Sequence, residues 1–144
     1  MNNSIRLNHE EKLKLLPHVG YLLNIISKAR QSGIFSVENE IKDSEDEFFQ
    51  IAFKLVCGGH NPEYVKRTLK NLVNSSYTDN VDQVKKLIQA DILPMMEVHP
   101  NHFINMSIFS YFGISFKTEY QEGLKKLLTD SVYQSIFDDD GFII

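Results

Sequence analysis

Apolar residues recur along this chain at spacings of three and four, the period of an α-helix with one buried face. The clearest set comprises Val19, Leu22, Leu23, Ile26 and Ala29. No alternating apolar–polar pattern of useful length is present, so the sequence predicts no β-sheet. A chain of 144 residues can bury a core without metals or disulfides. We therefore predict an all-α fold, a compact bundle or short array of about six to eight helices, in a single helical domain over residues 1–144.

Capping residues, prolines and glycines divide the chain into predicted helices. Asn8 is the predicted N-cap of the first helix, and Pro17 fits the first position of a second, longer helix. Gly33 is expected to end that longer helix, and Pro94 to end or kink a later one. The predicted helical segments are 7–16, 17–32, 34–41, 48–57, 62–73, 80–93, 99–112 and 117–128, with a further turn at Asp130–Ser131 and a loop over Asn74–Asp79.

A weak internal repeat relates segment 45–74 to segment 83–112. In each segment an apolar helix is followed by a break, a proline and a second helix, and Pro100 takes the place of Pro62. Two units are too few for a solenoid. The segments are either related helix-turn-helix units or two ordinary helix pairs, and we favour the second interpretation.

Charge and cysteine content restrict the partners and the compartment. The net charge is −4 and the basic residues form no block, which argues against nucleic acid as the partner. No stretch approaches the ~18 apolar residues of a membrane-spanning helix, so no membrane insertion is expected. The polar N-terminus, Met1–Arg6, lacks the apolar region of a secretory signal. With a single cysteine, Cys57, and no internal disulfide, the sequence predicts a cytoplasmic protein.

Residue patterns typical of catalysis are missing from the sequence. There is no phosphate-binding loop, no nucleophile elbow and no Cys-x-x-Cys pair, and Cys57 is interpreted as a small buried apolar residue. We therefore predict that the chain is not an enzyme and binds no cofactor or metal. The alternative is a small metal-dependent enzyme that uses His60, His99 and His102 as ligands.

A charged corner is the first candidate binding site. Arg30 ends one predicted helix and Glu38 belongs to the next short one, with Gly33 between them. A turn at this glycine would present a base and an acid together, an arrangement suited to docking on a partner with reversed charges. Lys28, Gln31 and Glu40 complete the predicted set of partner-binding residues.

The same segment carries a family resemblance. Residues 28–41 read Lys-Ala-Arg-Gln-Ser-Gly-Ile-Phe-Ser-Val-Glu-Asn-Glu-Ile, and the similarity continues through Asp46-Glu47-Phe48-Phe49 and through Leu55 to Val65, with Gly58-Gly59 and Asn61-Pro62-Glu63. Over about residues 19–73, the chain resembles the cytoplasmic domain of MotA-type flagellar motor stator subunits. It lacks the four membrane helices of that family and would not conduct ions.

The resemblance implies a protein partner. In the family, the residues that match Arg30 and Glu38 contact the flagellar rotor switch protein. It thus predicts a soluble, non-catalytic interaction domain of a motile bacterium that binds the rotor switch or regulates the motor. The alternative is a helical-repeat adaptor or regulator unrelated to motility, which would bind its partner in an apolar groove around Phe103, Ile104, Phe109, Tyr111 and Phe112.

Overall fold

The computed structural model of the chain describes residues 6–75 and 79–144. This described part is 74% helical, which confirms the predicted all-α fold and the predicted number of helices. Its α-helices are α1 (His9–Ser32), α2 (Glu38–Lys42), α3 (Glu47–Cys57), α4 (Pro62–Asn74), α5 (Asn80–Ile92), α6 (Asn101–Phe109), α7 (Lys117–Leu127) and α8 (Asp130–Gln134). Short 3-10 turns occupy Ile34–Val37, Leu93–Met95 and Ile114–Phe116. The middle of the predicted loop over 74–79 and the N-terminal residues 1–5 lie outside the described residues.

Side chains at the helix starts satisfy backbone N–H groups that have no helical acceptor. Asn8 and Glu11 form a capping box in which each side chain accepts a hydrogen bond from the backbone N–H of the other, both at 2.9 Å. Asp46, Asn61 and Asp79 cap α3, α4 and α5. The starts of these four helices lie within two residues of the predicted ones. Capping is predictable from sequence because the capping side chain acts within a single helical turn.

Helix α1 runs without interruption through Pro17, so the predicted separation into two helices at this residue is wrong. Proline lacks the N–H that would donate to the carbonyl four residues earlier, here that of Leu13. Pro17 and Leu13 both lie on the exposed side of α1, where water can bind that carbonyl. The buried side, from Leu15 to Ala29, is therefore not disturbed.

A small antiparallel hairpin near the C-terminus was not predicted. β1 (Phe137–Asp138) pairs with β2 (Gly141–Phe142), and Gly141 adopts a φ of 110° that favours glycine. The Phe142 ring packs against the rings of Phe109 and Phe137, with centroids 4.7 and 4.8 Å away. Strands of two residues are too short to show alternation, so the sequence pattern could not predict this hairpin, which aromatic packing supports.

Helix α6 ends at Phe109 rather than at Phe112 as predicted. The chain continues in tighter turns, in which the Tyr111 N–H donates to the Ile108 carbonyl at 3.0 Å and the Phe112 N–H to the Phe109 carbonyl at 2.8 Å. These turns direct Phe112 into the core, where its ring stacks on Phe116 at 5.5 Å. The chain leaves the helical path three residues earlier than predicted, and this places the Phe112 ring in the core.

The core is built around α1, which packs against α5, α6, α7 and α8. Val19, Leu22 and Ile26 on α1 are fully buried, and each such side chain contributes about 1.5–3 kcal/mol of burial energy. The hydroxyl of buried Tyr120 donates to Asn105 Oδ1 at 2.7 Å, which joins α7 to α6. Among residues 6–75 and 79–144, no helix is both long enough and apolar enough to cross a bilayer.

The two predicted repeat units both fold into helices. The first contains α3 and α4, and the second contains most of α5 together with α6. Ala52 and the matching Ala90 are both buried, whereas Val65 is buried and the matching Phe103 is 45% exposed. The relationship between the two units stays a prediction.

Helices α1 and α7 approach each other closely at two glycines. A Cβ atom on Gly20 would lie 2.7 Å from Leu127 Cβ, and one on Gly123 would lie 2.2 Å from Leu16 Cδ2. The Cβ of Leu127 is attached directly to the backbone and can move only with the helix. The Cδ2 of Leu16 ends a flexible side chain, so a rotamer change can relieve that contact.

We expect Gly20→Ala to lower the free energy of unfolding by about 1 kcal/mol net. Overpacking costs about 1–3 kcal/mol, and the higher helix propensity of alanine returns up to about 1 kcal/mol. Gly123→Ala should be neutral or stabilising, because Leu16 can rotate. Urea unfolding of both variants and the wild type measures the difference. A Gly20→Ala protein at least as stable as the wild type would contradict a rigid approach at this position.

Candidate interaction surface

Gly33 separates α1 from the 3-10 turn that leads into α2. Gly33 has φ 91° and ψ 153°, a conformation that a side chain would strain. The Ser36 N–H and hydroxyl both donate to the Gly33 carbonyl, at 3.1 and 2.6 Å. Val37 is fully buried and anchors the turn in the core. The predicted turn at this glycine is therefore present, and the residues that follow it hold it in place.

Arg30, on the last turn of α1, is exposed but oriented. Its Nη1 donates to the backbone carbonyl of His99, and it lies 3.5 Å from Asn101 Oδ1 at the start of α6. Both acceptors are neutral. Within the described ranges, Arg30 makes no salt bridge, so its positive charge is fixed in direction without being neutralised by a carboxylate.

Glu38 opens α2 on the other side of the turn. Its carboxylate lies 3.6 Å from the Lys42 ammonium, one helical turn away, and such exposed pairs contribute at most about 1 kcal/mol. Arg30 borders a depression of about 300 Å³ beside α6. Glu38 borders a different cavity, between α2 and α3. Neither residue is held in a buried salt bridge, and the two charges lie on opposite sides of the Gly33 turn.

The other predicted contact residues lie close to the same turn. Lys28 and Glu40 join α1 to α2 through a pair of atoms 4.0 Å apart, and both side chains are about half exposed. Gln31 is exposed and borders the same depression as Arg30. Their role in partner binding stays a prediction.

A second, apolar feature lies next to Glu38. A cavity of about 110 Å³ opens between α2 and α3, with the buried residues Ile41 and Phe53 in its floor and Phe35 at its edge. Cys57 also contacts this cavity and is only half-buried, less than the sequence predicts. Burial raises the pKa of Cys57, and Glu38 and Glu97 raise it further. A thiol held in its protonated form is a poor nucleophile.

The structure contradicts the alternative prediction of an apolar binding groove. It was predicted around Phe103, Ile104, Phe109, Tyr111 and Phe112. Ile104, Phe109 and Phe112 are buried in the core, and the Tyr111 hydroxyl donates to Asp91. Only Phe103 of this set is well exposed, at 45%. In a sequence, such an apolar run is equally typical of a buried core and of a surface groove. In the folded chain, the packing of this segment places most of its apolar side chains in the core.

The three histidines of the metal alternative do not come together. The His99 ring stacks on Phe103 with centroids 4.6 Å apart, and the His60 ring lies 5.8 Å from Tyr64. Across residues 6–75 and 79–144, no three His, Cys, Asp or Glu side chains converge as a metal would require. The described part of the chain therefore contains no candidate metal centre.

A polar cluster joins α1, α3 and α5, and the sequence analysis missed it. This Asp46 cluster consists of His18, Asp46, Lys85 and Gln89. Asp46 Oδ1 accepts from the Phe49 N–H at 3.0 Å, and its Oδ2 lies 3.1 Å from the Gln89 amide nitrogen and 3.0 Å from the Lys85 ammonium. The same Gln89 nitrogen lies 3.2 Å from His18 Nε2. Gln89 is fully buried.

The cluster lowers the pKa values of His18 and Asp46. Burial, assisted by Lys85 and opposed by Asp46, lowers the pKa of His18 from 6.5 to about 4. Burial raises the pKa of Asp46, but hydrogen bonds from Phe49, Gln89 and Lys85 outweigh burial and leave it below its usual value. An amide nitrogen only donates, so His18 Nε2 must accept and the imidazole is neutral. Gln89 separates this imidazole from Asp46, and the arrangement links helices rather than forming a catalytic pair.

No protein-family model matches this chain, and neither the curated proteins nor the solved structures contain a match. The resemblance to stator cytoplasmic domains therefore stays a hypothesis supported only by the quoted residues.

Proposed function

We propose that this chain is a non-catalytic, cytoplasmic protein-interaction domain that docks on a charged partner through the corner formed by Arg30, Gly33 and Glu38. The observation that carries the proposal is the state of Arg30. Its guanidinium is exposed, and two neutral acceptors, the His99 carbonyl before α6 and the Asn101 side chain at its start, hold it in place. A charge that is oriented in advance loses little freedom on binding and still has its full attraction for a carboxylate.

The two sides of the corner define the partner's chemistry. A partner that offers an acidic side chain to Arg30 and a basic one to Glu38 satisfies both sides of the Gly33 turn. The neighbouring Lys28 and Glu40 repeat this pattern of one base on α1 and one acid on α2. Charges arranged in this way mainly increase the association rate and select the orientation of docking.

The resemblance to MotA-type stator domains supplies the first partner to test. In that family the residues matching Arg30 and Glu38 face charged residues of the rotor switch protein. We therefore infer that the partner is a rotor switch protein and that the domain contributes to motor binding or motor regulation.

We expect purified rotor switch protein to bind the wild-type chain in a calorimetric titration, and Arg30→Glu to raise the Kd by about tenfold or more. Charge reversal replaces an attraction with a repulsion, and tenfold corresponds to about 1.4 kcal/mol. Arg67→Glu is the matched control, because Arg67 is an exposed arginine on α4 and not part of the corner. Raising the ionic strength should weaken wild-type binding.

Two results would contradict the proposal, each in a different part. If the wild type does not bind rotor switch protein, the partner is wrong. If it binds but Arg30→Glu and Arg67→Glu behave alike, the docking corner is wrong.

A further inference from the structure

Phe35 is the most exposed aromatic side chain among the described residues, with 71% of its surface accessible. It lies on the 3-10 turn after Gly33, and the buried Val37 fixes that turn. The ring is thus presented on a rigid support rather than on a loose loop. Large aromatic residues held in this way are typical of the anchor residues of protein interfaces.

The cavity between α2 and α3 lies directly beside this ring. Its floor is formed by the buried Ile41 and Phe53, and Phe35 itself borders it. An enclosed apolar cavity of about 150 Å³ can hold a benzene ring. A cavity of about 110 Å³ that opens to the surface can therefore receive most of a phenyl group.

The rim of the cavity carries both signs of charge. Glu38 and Lys42 form their weak exposed pair on one side, and Lys54 borders the cavity on α3. Lys54 makes no salt bridge with any residue in the described ranges. A patch that holds one acid and two bases can face a copy of itself when the acid of each copy lies opposite the unpaired base of the other.

We propose that two copies of this chain associate through this patch. A two-fold axis that passes between Phe35 and the cavity inserts each Phe35 ring into the cavity of the other copy. The same operation brings Glu38 of each copy toward Lys54 of the other. Two-fold interfaces require such self-complementarity, because the same patch is used twice. A ring and a cavity that lie side by side on one patch satisfy this requirement.

The dimer is separate from the proposed docking function but shares one residue with it. Glu38 lies in both surfaces, so self-association and docking compete at this residue. Arg30 and Gln31 border a different depression, beside α6, and stay open in the dimer. Substitutions of Phe35 and of Arg30 therefore separate the two associations.

Sedimentation equilibrium over a wide range of protein concentrations tests the proposal, with a reducing agent present so that no Cys57 disulfide mimics a dimer. We expect a reversible monomer–dimer equilibrium. Phe35→Ala should raise the dimer Kd by about 30-fold or more, which corresponds to about 2 kcal/mol. Ile114→Ala is the matched control, because Ile114 is 84% exposed and does not border the cavity. Circular dichroism should show both variants folded, because both side chains are exposed.

Charge exchange tests the geometry of the dimer. Glu38→Lys and Lys54→Glu should each weaken it, and the double variant should restore it because the pairs are re-formed with reversed signs. Arg30→Glu should leave the dimer unchanged while it weakens docking. A chain that stays monomeric at every concentration overturns the proposal. So does a dimer that Phe35→Ala and Ile114→Ala affect equally, or one that the double charge exchange fails to restore.

Discussion

Replacing Asp46 with alanine should lower the free energy of unfolding by about 2–4 kcal/mol. The side chain caps α3 through the Phe49 N–H, and loss of such a cap costs about 1 kcal/mol. It also accepts from the fully buried Gln89, and a buried donor without its acceptor costs about 1–3 kcal/mol more. Urea unfolding followed by circular dichroism measures the change, provided that the transition is two-state.

Two further variants separate the contribution of the helix cap from that of the cluster. Asp43→Ala is the matched control, because Asp43 is an aspartate three residues before Asp46 and its side chain is exposed. It should change stability by less than about 0.5 kcal/mol. Asp46→Asn keeps an oxygen for the Phe49 N–H but turns an amide toward Gln89 and Lys85. It should therefore retain the cap and lose the cluster. If Asp46→Ala is no more destabilising than Asp43→Ala, the cluster contributes nothing to stability.

Acidification from pH 6.5 to pH 4 should remove about 3 kcal/mol of stability through His18 alone. Burial lowers the pKa of this imidazole to about 4 in the folded chain, and its ordinary value of 6.5 applies after unfolding. Between these values the unfolded chain binds a proton that the folded chain does not, so falling pH favours unfolding. The loss begins near pH 6.5 and levels off below pH 4. At about 1.4 kcal/mol per pH unit, this interval gives about 3 kcal/mol.

The structural reason is the direction of the Gln89 amide. Its nitrogen lies between Asp46 Oδ2 and His18 Nε2, so a proton on Nε2 would face another N–H donor. His18→Gln keeps an acceptor at this place and removes the titration. We expect this variant to lose most of the pH dependence between 6.5 and 4, whereas His60→Gln, at an exposed position, should keep it. Equal slopes in the two variants would exclude His18 as the cause.

Local rules predict the helices of this chain well, because the residues that start them act over one turn. Asn8, Asp46, Asn61 and Asp79 illustrate this. Pro17 misleads the same rules. Whether a proline breaks a helix depends on whether the freed carbonyl faces water or the core, which is a tertiary property.

The candidate surface is predictable only in part, for the same reason. Gly33 marks the turn between Arg30 and Glu38, and the sequence is sufficient to place it. The two acceptors of Arg30 are separated from it by 69 and 71 residues in the sequence. The two acceptors of Gln89, His18 and Asp46, are separated from it by 71 and 43 residues. No spacing rule connects residues so far apart, so the orientation of Arg30 and the Asp46 cluster become visible only in the folded chain.

The central position of α1 has a consequence for the synthesis of this chain. Its apolar side packs against α5, α6, α7 and α8, all of which are translated later. Ribosomes add about 5–20 residues per second, so the interval between completing α1 and completing α7 is on the order of 5–20 seconds. Until α5 is complete, the apolar side of α1 has none of these partner helices to cover it, and α6, α7 and α8 complete the cover only as they are made. Chaperones that bind nascent apolar segments should therefore bind α1 before these later helices are made and release it only when they have packed against it.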